Sequence, residues 1–210
     1  MFWKKNNEKV AAFQKDCKMP NLSGIDYPLM NRLLVRLLVP ESGISKKAKS
    51  YRTIFIRLID KAIREYYQAR EAFIDDMLEN GQKFRVIEFM DHIETCINAI
   101  SRLFKLLKRI KTERESPKFP REIRELLEGK SESVTTLRNS VEHMDEKIRN
   151  DEITPGNPTT LSYNKEKDGI NIANYEVSFQ DLAIVLEKMN EIAQYILRIK
   201  EVPTALPEIQ

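Results

Sequence analysis

The chain is poor in the residues that most often carry chemistry by themselves. Its 210 residues include only 2 cysteines and 2 histidines. Cys17 and Cys96 lie far apart in sequence, which gives neither a disulfide framework nor the paired spacing of a zinc knuckle. A di-iron bundle needs Glu-x-x-His ligands on two helices, and neither His92 nor His143 follows a glutamate at that spacing. With 6 glycines in the chain, there is no Gly-rich phosphate loop, and no G-x-S-x-G elbow occurs. No metal and no other cofactor is expected. Long apolar runs are missing too: a stretch such as LLVRLLVP is far too short to span a bilayer, and the opening MFWKKNNEKV lacks the apolar run of a secretion signal. No membrane partner is expected, and the sequence reads as cytoplasmic with reduced thiols.

What remains is charge and helical periodicity. Charged residues make up 32% and hydrophobic ones 41%, with Glu, Lys, Arg, Leu and Ile prominent, which favours helix. A net charge of +3 is mildly basic; it permits a nucleic-acid partner without requiring one. The first long helix is expected from about Ala48 to Leu78, where Phe55, Leu58, Ile59, Ala62, Tyr66, Ala69, Phe73 and Met77 recur at three and four residues before Asn80-Gly81. A second, about Phe84 to Lys111, carries Val86, Met90, Ile93, Ile97, Ile100, Phe104 and Leu107 and should return antiparallel. After ESPKFP the pattern predicts a short helix from Arg121 to Leu127 stopped by Gly129. A further helix is then expected from Ser131 to Asn150, with Val134, Leu137, Val141, Met144 and Ile148 on one stripe. Alternating residues around Asp168-Gly169 predict a β-hairpin. Ser178 and Asp181, at capping spacing, open a last helix through Leu182, Val185, Met189, Ile192, Ile196 and Ile199. The expected fold is therefore all-α: an antiparallel four-helix bundle over residues 46–200 with a small β-hairpin inserted before the last helix. An N-terminal arm, 1–45, carries a short helix over Leu29 to Leu38, and a tail, 201–210, follows the bundle.

Residues 136 to 151 read TLRNSVEHMDEKIRND and place Arg138, Asn139 and His143 together on the third long helix. This order, an arginine with a polar neighbour and then a histidine after four intervening residues, resembles the motif of the HEPN superfamily of helical nucleotide-binding domains and ribonucleases. Arg85 and His92 satisfy the bare spacing as well, but apolar Val86 follows Arg85, and the Arg138 pair is preferred. On an ideal helix Arg138 and His143 stand roughly 140° apart and about 7.5 Å along the axis, so a site using both needs a groove between helices. The resemblance implies a homodimer in which a two-fold brings two copies of this helix together. It also implies a metal-independent endoribonuclease of a defence or toxin system, with an antitoxin or regulatory protein as a candidate partner. His143 would be the general base or acid, Arg138 the phosphate clamp and Asn139 an orienting hydrogen-bonding group. A tyrosine often follows two residues after the histidine in toxin-type members; here that position is Asp145, and Glu142 and Glu146 add further negative charge.

RNA is the candidate substrate. Ten Lys and Arg against five Glu in residues 101–130 form a candidate phosphate-tracking surface, with Lys105, Lys108, Arg109, Lys111, Arg121 and Arg124 as RNA contacts. Tyr66 and Tyr67, or Tyr163 and Tyr175, are candidates for base stacking, although Tyr66 falls on the first helix's apolar stripe. Two other readings stand beside the enzyme: a non-catalytic module that binds a partner chain or nucleotide, and an RNA binder that does not cleave. The same residues also admit a purely structural role, with Arg138 and Glu142 as an i, i+4 surface ion pair.

Overall fold

In the computed structural model, which describes residues 18–22, 24–37, 45–78, 85–113, 119–164 and 167–198, helices dominate and a small antiparallel sheet precedes the last of them. The helices are α1 (Met30–Leu37), α2 (Lys46–Leu78), α3 (Val86–Thr112), α4 (Arg121–Glu142), α5 (Met144–Arg149) and α6 (Phe179–Arg198). Strands β1 (Ser162–Asn164), β2 (Gly169–Ile172) and β3 (Tyr175–Ser178) lie between α5 and α6. Cys17, Pro40, Ser42-Gly43, Asn80-Gly81, Arg114, Lys118, Ile199 and the 201–210 tail fall outside the described residues.

The caps explain where two of the long helices begin. Ser45 Oγ accepts the Ala48 backbone N–H at 3.2 Å and starts α2. Ser178 Oγ accepts the Asp181 N–H at 3.0 Å and starts α6, as the capping spacing predicts. The periodic apolar residues of both helices face inward: Phe55, Ile59, Ala62, Tyr66 and Ala69 on α2 are fully buried, as are Leu182, Val185, Met189 and Ile192 on α6. The same core takes Ile93, Cys96, Ile97 and Ile100 from α3.

Gly129 does not stop a helix. The chain runs helically from Arg121 through Glu142, with Leu127 and Val134 buried on either side of the glycine. Two turns of apolar contact outweigh the roughly 1 kcal/mol by which a mid-helix glycine disfavours helix. The interruption comes instead at His143, which has φ −109° and ψ 20° and separates α4 from α5. Hydrogen bonds bracket the bend: His143 N–H donates to Asn139 C=O at 3.0 Å, and Lys147 N–H to His143 C=O at 3.1 Å. The expected apolar stripe breaks here as well; Val134, Leu137 and Met144 are buried, whereas Ile148 is exposed. α5 ends at Asp151 in the left-handed region, where Glu152 N–H bonds Lys147 C=O and Asp151 N–H bonds Ile148 C=O, a Schellman closure.

The expected hairpin is a three-stranded sheet of order β1-β2-β3. Asp168, at φ 46°, closes the first turn as predicted, and Gly169 lies across from Ser178. The second turn, Ala173-Asn174 with Ala173 at φ 51°, lacks the glycine that would mark it in sequence. Ile170, Ile172 and Val177 are buried, and both β2 and β3 pack against α4. Tyr163 of β1 stacks on Phe179 at 5.9 Å, and Phe73 and Phe89 complete an aromatic cluster joining α2, α3, β1 and α6.

The described part of the N-terminal arm is built into this core rather than appended to it. Met19, Leu22 and Leu29 are buried, and their segment is fastened by polar groups of α2. Tyr66 Oη donates to Pro20 C=O at 2.9 Å, Tyr67 Oη to Leu22 C=O at 2.7 Å, and Arg70 Nε to Met19 C=O at 3.0 Å. Asp60 caps α1 from a different helix, accepting Leu29 N–H at 2.9 Å and Met30 N–H at 2.7 Å. Burial pushes the Asp60 carboxyl above its ordinary value, against the pull of those two backbone donors.

Candidate functional site

Arg138 and Asn139 lie in the last turns of α4, and His143 forms its C-cap. Arg138 Nη1 donates to Asn139 Oδ1 at 3.2 Å, and its guanidinium is ion-paired with Glu142 one turn on. The His143 side chain is 60% exposed; its Nδ1 lies 3.8 Å from Glu146 Oε2, beyond hydrogen-bond reach. The structure thus brings the Arg138 side chain to that of Asn139, while among the described residues neither side chain bonds the His143 imidazole within one chain. The imidazole faces solvent at the bend between α4 and α5. Around it stand the acids of its own and the next turn: Glu142, Asp145 and Glu146.

The other arginine–histidine match has a different fate. Arg85 Nε donates to Glu88 Oε2 at 2.8 Å, at the start of α3. His92 Nδ1, in the tautomer that carries a proton there, donates to Glu65 Oε2 at 2.9 Å and so links α3 to α2. Glu65 also takes a hydrogen bond from Arg64 Nη2 at 3.0 Å. Burial opposes ionisation of Glu65, yet the hydrogen bonds from His92 and Arg64 together hold its carboxyl below its ordinary value. Burial raises the nearby Cys96 thiol far above its ordinary range, which makes it inert as a nucleophile. Sequence pattern did not reveal the Glu65–His92 pair, because its members lie on different helices and neither carries a local motif.

The basic stretch resolves into two populations. Arg102, Lys105, Lys108 and Arg109 are exposed along α3. Lys111 is held by Glu128 at 2.5 Å, Arg121 by Glu125 at 2.6 Å and Lys130 by Asp181 at 2.7 Å. Arg124 has its Nε buried with no hydrogen-bond partner among the described residues. Lys111 and Glu128 meet some 15 Å along α4 from Arg138, counted at the helical rise. Of the tyrosines, Tyr66 is fully buried, Tyr163 is committed to the aromatic cluster, and Tyr175 is exposed with Lys147 Nζ 4.7 Å from its ring centroid.

Among the described residues no group of three or more His, Cys, Asp or Glu is placed to hold a metal ion, and no helix is long and apolar enough to cross a membrane. Comparison of the chain with protein-family models, curated proteins and solved structures returned no match.

Proposed function

We propose that this chain is a HEPN-like, four-helix-bundle protein that acts on RNA as a metal-independent endoribonuclease, its site completed when two copies pair across the bend between α4 and α5. The observation that carries the reading is the placement of His143: a helix-capping residue, mostly exposed, five residues after an arginine whose one charged partner among the described residues is a surface glutamate. Surface ion pairs contribute about 0–1 kcal/mol, so a phosphate can displace Glu142 from Arg138 at small cost. With one copy's His143 set against the other's Arg138, imidazole would take the proton of a ribose 2′-hydroxyl as that oxygen attacks phosphorus. The P–O5′ bond then breaks and the leaving O5′ takes the proton from the imidazolium, giving a 2′,3′-cyclic phosphate and a 5′-hydroxyl, while Arg138 neutralises the phosphoryl oxygens. On this reading the setting is a defence or toxin system, and a regulatory protein would restrain the activity.

The acidic surroundings favour one second reading, a non-catalytic module in which Arg138 and His143 stabilise an interface. The test is incubation of wild type, Arg138→Ala and His143→Ala with total RNA and a defined tRNA in EDTA, with fragment ends analysed and sedimentation run alongside. Cyclic-phosphate ends from wild type alone, with all three proteins dimeric, support the enzyme. Intact RNA throughout, with dimers lost in the variants, supports the interface module.

A further inference from the structure

A second surface carries an inference independent of the nuclease reading. An open groove of about 260 Å³ runs between α2 and α3. Its floor is aliphatic: Ile54 and Leu58 from α2 and Leu106 from α3, with Ile54 42% exposed in spite of its size. Tyr51 closes one end. Its cationic side is Arg102, Lys105 and Arg109, spaced i, i+3 and i+7 so that they share one face of α3 and span about 10 Å of its axis. Among the described residues none of the three has an acidic partner, and no acid lines the groove. The basic residues further along the chain that do have carboxylate partners, Lys111, Arg121 and Lys130, lie outside it.

We propose that this groove docks an acidic amphipathic helix from a partner protein, whose apolar residues cover Ile54, Leu58 and Leu106 and whose carboxylates pair with Arg102, Lys105 and Arg109. Three cations without an acidic partner among the described residues favour an anionic occupant, and an aliphatic floor with Ile54 exposed favours an apolar one; an acidic amphipathic helix offers both at the matching i, i+3 and i+7 spacing. Single-stranded RNA satisfies only the first demand. Tyr51 is the one aromatic ring among the described residues of the lining, and Lys47 Nζ already sits 5.6 Å from its centroid. No amide side chain lies among the described lining residues to read a base edge, and Ile54 and Leu58 offer no stacking plane.

The test uses the full chain and a fluorescent helical peptide with leucines at i and i+4 and glutamates along one flank. The same peptide with glutamine for glutamate, and a labelled oligouridine, serve as comparison probes. Wild type should bind the acidic peptide in preference to its glutamine form. Arg102→Glu combined with Arg109→Glu, and separately Ile54→Ser, should each weaken acidic-peptide binding by about tenfold or more, a loss of about 1.4 kcal/mol. Arg149→Glu, a charge change on α5, should leave it unaltered, and circular dichroism should show every variant as helical as wild type. Ile54→Ser binding the peptide as well as wild type would overturn the proposal, since charge alone would then explain the affinity. So would oligouridine binding more tightly than the peptide, with Ile54→Ser neutral toward both probes, which would make the face a nucleic-acid track.

Discussion

The two histidines stand in almost the same sequence context, each a few residues after an arginine on a long amphipathic helix, yet the fold treats them oppositely. His92 is 25% exposed and joined to Glu65 of a neighbouring helix, whose carboxylate is in turn held by Arg64. His143 is 60% exposed, at a bend, with no hydrogen bond from its ring among the described residues. A buried, doubly hydrogen-bonded carboxylate ties α2 to α3, and its removal leaves polar groups stranded in a low-dielectric site. An exposed imidazole at a helix terminus contributes little to the fold and is free to meet something else. The difference teaches that a motif's spacing selects candidates, while the neighbouring element decides which of them is available for chemistry.

The largest expected effect separates the two sites by activity. If His143 is the proton-transfer group, His143→Ala lowers cleavage by a factor of about 10²–10⁴ with the thermal midpoint unchanged, whereas His92→Ala lowers the midpoint and spares the cleavage rate of the protein that remains folded. Single-turnover cleavage and thermal melts on the same preparations make the check. Equal losses of rate in both variants would erase the distinction.

Next in size is the arm. Asp60→Ala removes the acceptor of two backbone N–H groups at the start of α1, and urea unfolding should show a loss of about 2–3 kcal/mol. Because the folded carboxyl titrates above its ordinary 3.8, ionisation of Asp60 is disfavoured by the fold; its contribution falls as pH rises from about 3.8 through the raised value. The penalty for Asp60→Ala should accordingly be greater in acid than at neutral pH.

Glu65 has the opposite sign. Its folded carboxyl titrates below the ordinary 4.5, so the stabilisation it brings is fully present above about 4.5 and is lost as pH falls through the lower folded value. Glu65→Gln should cost about 1–2 kcal/mol at neutral pH, on the scale of a hydrogen bond to a charged group, and the cost should shrink on acidification. Unfolding curves for the Asp60 and Glu65 variants across the acid range would then diverge in opposite directions. Parallel curves would mean that neither carboxyl is set by the contacts described here.

Much of the helical pattern was legible in the sequence because buried residues recur at three and four along α2, α3 and α6, and because Ser178 with Asp181 announces its own cap. The hairpin around Asp168-Gly169 was legible for the same local reason. What was hidden depends on partners distant in sequence. The sheet's second turn uses Ala173 and Asn174, whose composition gives no glycine signal. Asp60 caps a helix 30 residues away, and Glu65 finds His92 only after α2 and α3 have packed. At the candidate site, the Arg138–Glu142 pair was visible as i, i+4 spacing, but the bend at His143 was not, since neither proline nor glycine occurs there. The α2–α3 groove was partly visible as the basic run from Arg102 to Arg109; its aliphatic floor was not, because Ile54 lies beside the periodic stripe of α2 and becomes a docking feature only opposite Leu106.

The smallest expected effect concerns α4 itself, and it tests why the helix carrying Arg138 continues past the position where sequence rules would end it. Gly129 is helical and exposed, and a Cβ added there would meet nothing within 4 Å. If packing of Leu127 and Val134 carries the helix through an unfavourable residue, Gly129→Ala should stabilise the protein by about 0.5–1 kcal/mol, since alanine restricts the unfolded chain and fits the native backbone without strain. Cleavage and the bend at His143 should be untouched, because the substitution lies 10 residues before Asn139 and 14 before His143, about 20 Å along the helix axis from the histidine. A destabilising Gly129→Ala would instead show that the chain needs a glycine's freedom at this point, and that α4 is two helices in solution, as the sequence alone suggests.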